Sequence, residues 1–229
     1  MMKRTAQNRF KALTSACVLS MMATVAWSQS ITWLGTLGGS NCQAFGVSAN
    51  GAVVVGVAEN AAGRRRAFRW QNGVMRNLGT LGGRESYAYG VSAGGAVVVG
   101  LAHNADWQWY GRAFRWQNGV MQDLGTLGGG WSEALGVSAD GAVVVGWSYS
   151  AAGPTRAFRW QNGVMQDLGT LGGRESYAYG VSADGAVVVG AARNDAGQSR
   201  AFRWQNGVMQ NLGTLGGDYS WAYGVSANG

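Results

Sequence analysis

Downstream of residue 28, apolar side chains come in short runs broken by turn-forming dipeptides, and the same order of runs keeps returning. One unit reads, from Gly136, GVSADGAVVVGWSYSAAGPTRAFRWQNGVMQDLGTLGG. Asn50-Gly51, Gly94-Gly95, Asp140-Gly141 and Asp184-Gly185 make one set of turns; Asn72-Gly73, Asn118-Gly119, Asn162-Gly163 and Asn206-Gly207 make another. Both sets accept the positive φ that a two-residue hairpin loop requires. The runs between them, such as Ala142 to Val145, Ala157 to Trp160 and Val164 to Leu168, carry β-branched and aromatic side chains and are predicted as strands. Each unit supplies four. Glycine every few residues, at about 1 kcal/mol apiece in a helix, leaves helix almost no place.

Because side chains alternate along a strand, Phe68 and Trp70 fall on one face of the third strand and Ala67 and Arg69 on the other. The Ala-Val-Val-Val run of the second strand is apolar on both sides of the pleat, which suits a sheet covered on both faces. Large residues of one unit should therefore meet small residues of the next.

The phrase Gly-Val-Ser-Ala recurs at Gly46, Gly90, Gly136, Gly180 and Gly224, with spacings of 44, 46, 44 and 44 residues. A fixed period of this kind marks a repeat architecture, and four antiparallel strands in such a length is the size of a propeller blade. The predicted fold class is all-β, a β-propeller that is incomplete or open. The alternative is a β-solenoid, whose mostly parallel pairing the tight hairpins oppose. Units are expected to start near residues 44, 88, 134 and 178, after an orphan strand at 31–39 and before a partial unit from 220. Sixteen strands plus these two pieces make eighteen, which does not divide into blades of four. A fragment of a longer array, four blades plus a ribbon, or two copies completing each other would each account for that number; an end in mid-hairpin at Gly229 favours the first.

Residues 1–28 read differently. Lys3, Arg4, Arg9 and Lys11 form a basic head, Ala12 to Ala26 is apolar and uncharged, and Ala26-Trp27-Ser28 is a small-x-small cleavage site. These are the parts of a secretory signal peptide, and the apolar stretch falls short of the roughly 20 residues that span a bilayer. An exported protein, extracellular or periplasmic, is expected, with no membrane span after cleavage.

Composition narrows the functional classes. The chain has 39 Gly, one Pro, 47% hydrophobic residues and only 13% charged ones, which excludes both a disordered chain and collagen. The formal charge of +7 is largely a leader effect, because the chain beyond residue 28 carries fourteen arginines, no lysine and eleven acids, a net +3. That is a poor footprint for nucleic acid. Cys42 is the one cysteine beyond the leader, so packing rather than an intrachain disulfide must hold the fold.

The motifs resemble those of the HAF repeat family, predicted bacterial extracellular repeat proteins. The resemblance rests on Phe158-Arg159-Trp160, Asn162-Gly163, the Met165 to Gly173 stretch, Ser176-Tyr177-Ala178 and the Val187 to Gly190 run, and it extends from Ile31 to Gly229. It implies export and a propeller-like repeat array, and no particular chemistry. Arg66, Arg112, Arg156 and Arg200 stand where the family usually has His, so no role of that His carries over.

Several features are candidates for binding. Arg66, Arg112, Arg156 and Arg200 recur at one place in each unit and would form a ring around an axis, and guanidinium forks suit carboxylates and phosphates. Pairing with Asp123, Asp167, Glu85, Glu133 or Glu175, or stacking on Trp, is the structural alternative. The loop between second and third strands differs most between units. Its second copy, HNADWQWYG, brings Trp107, Trp109 and Tyr110 together, residue types that anchor sugars and protein partners. The five Gly-Thr-Leu-Gly-Gly segments lack the helix and Lys of a phosphate loop and read as turns. The single histidine, His103, has no partners in sequence that would define a metal or triad site. Cys42 occupies the slot held by Ser86, Ser132, Ser176 and Ser220, and reads as an isosteric replacement.

The expectation is an exported, non-enzymatic β-repeat scaffold that binds a glycan or a cell-surface protein through loops on one face, with no cofactor, no metal and no nucleic-acid partner. A structural or adhesin-like passenger that self-associates through open strand edges is the alternative, and a glycan-active enzyme with paired carboxylates comes third.

Overall fold

The computed structural model describes residues 31–105 and 110–229. The expected signal peptide and the residues Trp107 and Trp109 lie outside the described residues. Among those described there is no helix, and none therefore long and apolar enough to cross a membrane.

Four sheets of four antiparallel strands succeed one another along the chain. The first holds β1 (Gly38–Val47), β2 (Val53–Asn60), β3 (Arg65–Gln71) and β4 (Val74–Asn77). The second holds β5 (Gly82–Val91), β6 (Val97–Asn104), β7 (Gly111–Gln117) and β8 (Val120–Asp123). The third holds β9 (Gly128–Val137), β10 (Val143–Ser150), β11 (Thr155–Gln161) and β12 (Val164–Asp167). The fourth holds β13 (Gly172–Val181), β14 (Val187–Asn194), β15 (Ser199–Gln205) and β16 (Val208–Asn211). Strands pair in chain order within each sheet, so the solenoid, which would pair strands between repeats, is set aside.

The turn chemistry explains the hairpins. Asn72, Asn118, Asn162 and Asn206 take φ of 51–52° and are each followed by a glycine at positive φ, the two-residue turn whose twist matches its flanking strands. The glycine of each Val-Val-Val-Gly run has a different reason to be glycine. A Cβ on Gly56, Gly100, Gly146 or Gly190 would stand 1.9 Å from the carbonyl oxygen of Gln43, Tyr87, Glu133 or Tyr177. The strand beside it shifts register there, between Ala44 and Gly46 in the first sheet, and the resulting bulge drives its backbone onto the neighbour.

The sheets begin at Gly38, Gly82, Gly128 and Gly172, six residues ahead of the expected unit starts. The Gly-Thr-Leu-Gly-Gly segment explains the difference. Expected as a turn, it takes positive φ at both Gly79 and Gly82, and pairing in the fourth strand ends at Asn77. Gly82 already belongs to the next sheet. The expected orphan strand at 31–39 is accordingly the lead-in to β1, and 220–229 carries no assigned strand, so the described chain has sixteen strands rather than eighteen.

The core lies between sheets. In one cluster Val53, Val55, Ala67 and Leu78 of the first sheet meet Val98, Ala102, Phe114 and Trp116 of the second. The same pairing recurs between the second and third sheets, around Phe158 and Trp160, and between the third and fourth, around Phe202 and Trp204. The large-against-small reading of the third strand holds, and each buried Phe stabilises by about 1.5–3 kcal/mol. Gly46-Val47, Gly90-Val91, Gly136-Val137, Gly180-Val181 and Gly224-Val225 together line one cavity of about 320 Å³. The first strand of every sheet, and the segment after Ser220, thus surround a common axis. On the trailing side of the fourth sheet Leu212 is 50% exposed where Leu78, Leu124 and Leu168 are 6% exposed. The ring is open, and the architecture is that of an incomplete β-propeller.

Candidate functional site

Successive blades are joined at three places, and these joints fix the geometry of everything between them. The hydroxyls of Ser86, Ser132, Ser176 and Ser220 each accept the amide of Ala67, Ala113, Ala157 or Ala201 of the preceding blade at 2.9 Å and donate to the carbonyl of Gly79, Gly125, Gly169 or Gly213. Backbone bonds run from Ala49 to Ala93, Ala93 to Ala139, Ala139 to Ala183 and Ala183 to Ala227, at 3.0–3.2 Å. The guanidinium Nε of Arg69, Arg115 and Arg159 donates to the carbonyl of Gly95, Gly141 or Gly185 on the following blade.

The other arginine column behaves likewise. Arg66 donates to the carbonyls of Arg65 and Arg84, and Arg200 to those of Ser199 and Asp218 and to Gln198 Oε1. Arg156 lies 4.0 Å from Asp167. Arg112 occupies the same register position, opposite Ala102 on β6. These residues sit on the third strand of each sheet, out from the axis. Arg66 and Arg200 thus give hydrogen bonds to backbone carbonyls, whereas Arg156 lies near an acid of its own blade.

One end of each blade is built from nearly identical turns, Ser-Ala-x-Gly and Gln-Asn-Gly. Ser138 and Ser182 donate to Asp140 and Asp184, which also accept the amides of Ala142 and Ala186. Those bonds, the serine's foremost, hold both carboxyls below their ordinary range. The carboxylates serve the turn.

The opposite end is where the repeats diverge. In register, Val57, Leu101, Trp147 and Ala191 stand opposite Ala67, Ala113, Ala157 and Ala201. Two residues on, Glu59, His103, Tyr149 and Arg193 stand opposite Arg65, Gly111, Thr155 and Ser199. On the first strand, the partners of the former set are Gln43, Tyr87, Glu133 and Tyr177. These variable positions line a niche between each blade and the next.

Two niches are open. The first, about 230 Å³, is walled by Asn41, Gln43, Phe45, Glu59, Arg65 and Tyr87 among others. Its fourth-blade counterpart, about 90 Å³, is lined in part by Tyr177, Tyr179, Arg193 and Trp221, with Arg193 Nε 2.8 Å from Glu175. The second and third niches hold the protein's own rings. Trp131 lies against His103 and over Gly111, where a Cβ would meet its ring at 2.8 Å. Trp147 packs edge-on against Tyr177, with centroids 6.0 Å apart. Glu133 is partly buried beside Trp131. Desolvation pushes its carboxyl above the ordinary range, while the Tyr89 hydroxyl pulls the other way. The Tyr89 phenol is pushed up in turn, by burial first and by the Glu133 charge second.

Of the aromatic loop residues singled out from sequence, Tyr110 is described. It is 40% exposed, and its ring rests on Gly130 of the next blade, where a Cβ would come within 2.5 Å of it. Cys42 lines the first niche, and burial pushes its thiol up.

The class these features define is an open β-propeller. Solved structures agree at the level of fold. A putative TolB from Agrobacterium tumefaciens superposes with a TM-score of 0.56 at 15% identity, over 73% of this chain and 63% of that one. TolB from Acinetobacter baumannii gives 0.51 at 16% identity, over 71% and 40%. The β-propeller domain of the Trilobed protease from Pyrococcus furiosus, described as having an open velcro topology, gives 0.51 at 11%, over 72% and 52%. The chain thus spans less than two thirds of the length of each. No family model and no curated protein matches the sequence.

Proposed function

We propose that the chain is a non-enzymatic binding scaffold, exported by the signal peptide read at residues 1–28, which holds a glycan or a cell-surface protein on the blade end that carries the variable niches. One observation carries this reading: across the four blades the frame of Ser, Ala, Arg and Gly contacts repeats, while side chains change at the register positions that wall the niches. A rigid scaffold with variation gathered on one face is the usual layout of a binding surface. Beta-propeller neighbours support a scaffold role in general; the target, the export and the absence of catalysis are this reading's own.

The test compares the two ends of one blade. In a Cys42→Ser background, a polyethylene-glycol maleimide is attached at Ala62→Cys, on the variable end, or at Val74→Cys, beside the Asn72-Gly73 turn. On a glycan array and on bacterial surfaces, the first adduct should lose binding and the second retain it. Equal loss, or loss from the Val74 side alone, contradicts the proposal.

A further inference from the structure

The first niche differs from the other three in being both roomy and chemically mixed, and its contents point to a ligand. Its apolar surface is the ring of Phe45, 46% exposed, backed by Tyr89 at a centroid distance of 5.5 Å. Tyr87 stacks on Tyr89 in turn, nearly parallel at 11°. The polar groups around these rings are already oriented. Glu59 accepts from Asn41 Nδ2 at 3.0 Å and from Ser40 Oγ at 3.2 Å. The Tyr87 hydroxyl donates to Glu85 at 2.6 Å and receives Arg65 Nη1 at 3.4 Å. Amide, carboxylate and guanidinium thus flank aromatic faces inside a cavity of about 230 Å³, below the roughly 300 Å³ at which drug-sized sites begin.

We infer that this niche binds one neutral pyranose residue of a glycan, its C–H face on Phe45 and Tyr87 and its vicinal hydroxyls between Glu59 and Arg65. The inference rests on the binding-scaffold reading and gives it a site and a ligand class. A neutral ring is favoured over an anion because Glu59, held ionised chiefly by its Asn41 bond, sits opposite Arg65. Acceptor and donor then face the ligand together, which suits hydroxyls that both give and take hydrogen bonds. In the fourth niche Arg193, at the position of Glu59, faces Ser199 in place of Arg65 and pairs with Glu175 at 2.8 Å, and the space shrinks to about 90 Å³. In the third, Trp147 stands at the position of Val57 and packs against Tyr149 and Tyr177.

That tryptophan supplies the experiment, because the fold already carries an indole at this register position in the third blade. Calorimetric titration of the exported chain uses methyl glycosides of neutral hexoses and 6-deoxyhexoses, with methyl glucuronide and inorganic phosphate as anionic probes. The wild type should bind at least one neutral glycoside with a Kd on the order of 1 mM. Val57→Trp should weaken it by about tenfold or more at unchanged far-ultraviolet circular dichroism and an unchanged cooperative thermal transition, and Tyr87→Ala should do so independently. Equal affinity in Val57→Trp overturns the site while leaving the scaffold reading to its own occlusion test. Binding of glucuronide or phosphate alone, lost in Val57→Trp, overturns the neutral class. No heat with any probe at tens of millimolar overturns the saccharide assignment altogether.

Discussion

The Ser86 hydroxyl accepts the amide proton of Ala67 at 2.9 Å, nineteen residues back and on the preceding blade. Ser86 is fully buried, so this one oxygen satisfies a donor that water cannot reach, and the arrangement recurs at Ser132, Ser176 and Ser220. The cysteine at the matching place in the first blade then has a simple explanation. Among the described residues the Cys42 thiol makes no hydrogen bond, so a hydroxyl is not required there.

Replacing Ser176 by Ala should leave the Ala157 amide and the Gly169 carbonyl unpaired and cost about 1–3 kcal/mol. For a domain of this size that lowers Tm by several degrees, measured by differential scanning calorimetry. Cys42→Ser should move Tm by less than a degree or two on the same scale.

The Asn-Gly turns predict a sign. Asn162 holds φ of 52°, a region that costs an ordinary L-residue about 1–2 kcal/mol. Asn162→Ala should therefore destabilise by about that amount, whereas Asn162→Gly should be close to neutral. Chemical denaturation of the two variants decides it.

Gly146 and Gly94 should respond to the same substitution in opposite ways. A methyl on Gly146 would lie 1.9 Å from the Glu133 carbonyl oxygen, whereas one on Gly94 meets nothing within 4 Å and strains no dihedral angle. Gly146→Ala should yield little folded protein, and Gly94→Ala should fold with wild-type circular dichroism.

Glu133 gives a pH signature. Its carboxyl titrates above its ordinary value of 4.5 in the folded chain, chiefly through desolvation. As pH rises past the unfolded value, the unfolded chain releases that proton first, so this group subtracts stability until the folded carboxyl ionises as well. Glu133→Gln should therefore gain Tm relative to the parent as pH is raised from below 4.5 toward neutrality. A gap that narrows over that range would contradict the burial argument.

Much of the fold was legible in the sequence because it is written in local rules. Asn72-Gly73 announces its turn, the Ala67, Phe68, Arg69 and Trp70 alternation assigns faces, and a period near 44 makes neighbouring units the partners for those faces. Sheet boundaries were harder: the Gly-Thr-Leu-Gly-Gly turns are legible from their glycines, and Gly79 and Gly82 do take positive φ, but no local rule shows that Gly82 already opens the next sheet. The role of the arginines was only partly legible. Arg156 beside Asp167 is a pairing the residue types suggest, but a backbone carbonyl has no residue signature, so Arg69 reaching Gly95 could not be told from an exposed cation seeking an acid. The niches escaped for another reason: Gln43, Val57, Arg65 and Tyr87 come together from four strands of two blades. A signal is present, since these register positions are where near-identical repeats disagree, but the loop of Trp107 and Trp109 differs more between repeats and masks it.

The central claim is that the blades, each a complete sheet, are stapled to one another through amides into a single cooperative frame. Amide hydrogen exchange tests it directly. The amides of Ala67, Ala113 and Ala157, bonded to serine across blades, and those of Ala93, Ala139 and Ala183, bonded to the next turn, should exchange as slowly as Val99 and Val145 inside their sheets, through global opening alone. Exchange of these six amides orders of magnitude faster than the within-sheet amides would show blades that fold and open independently.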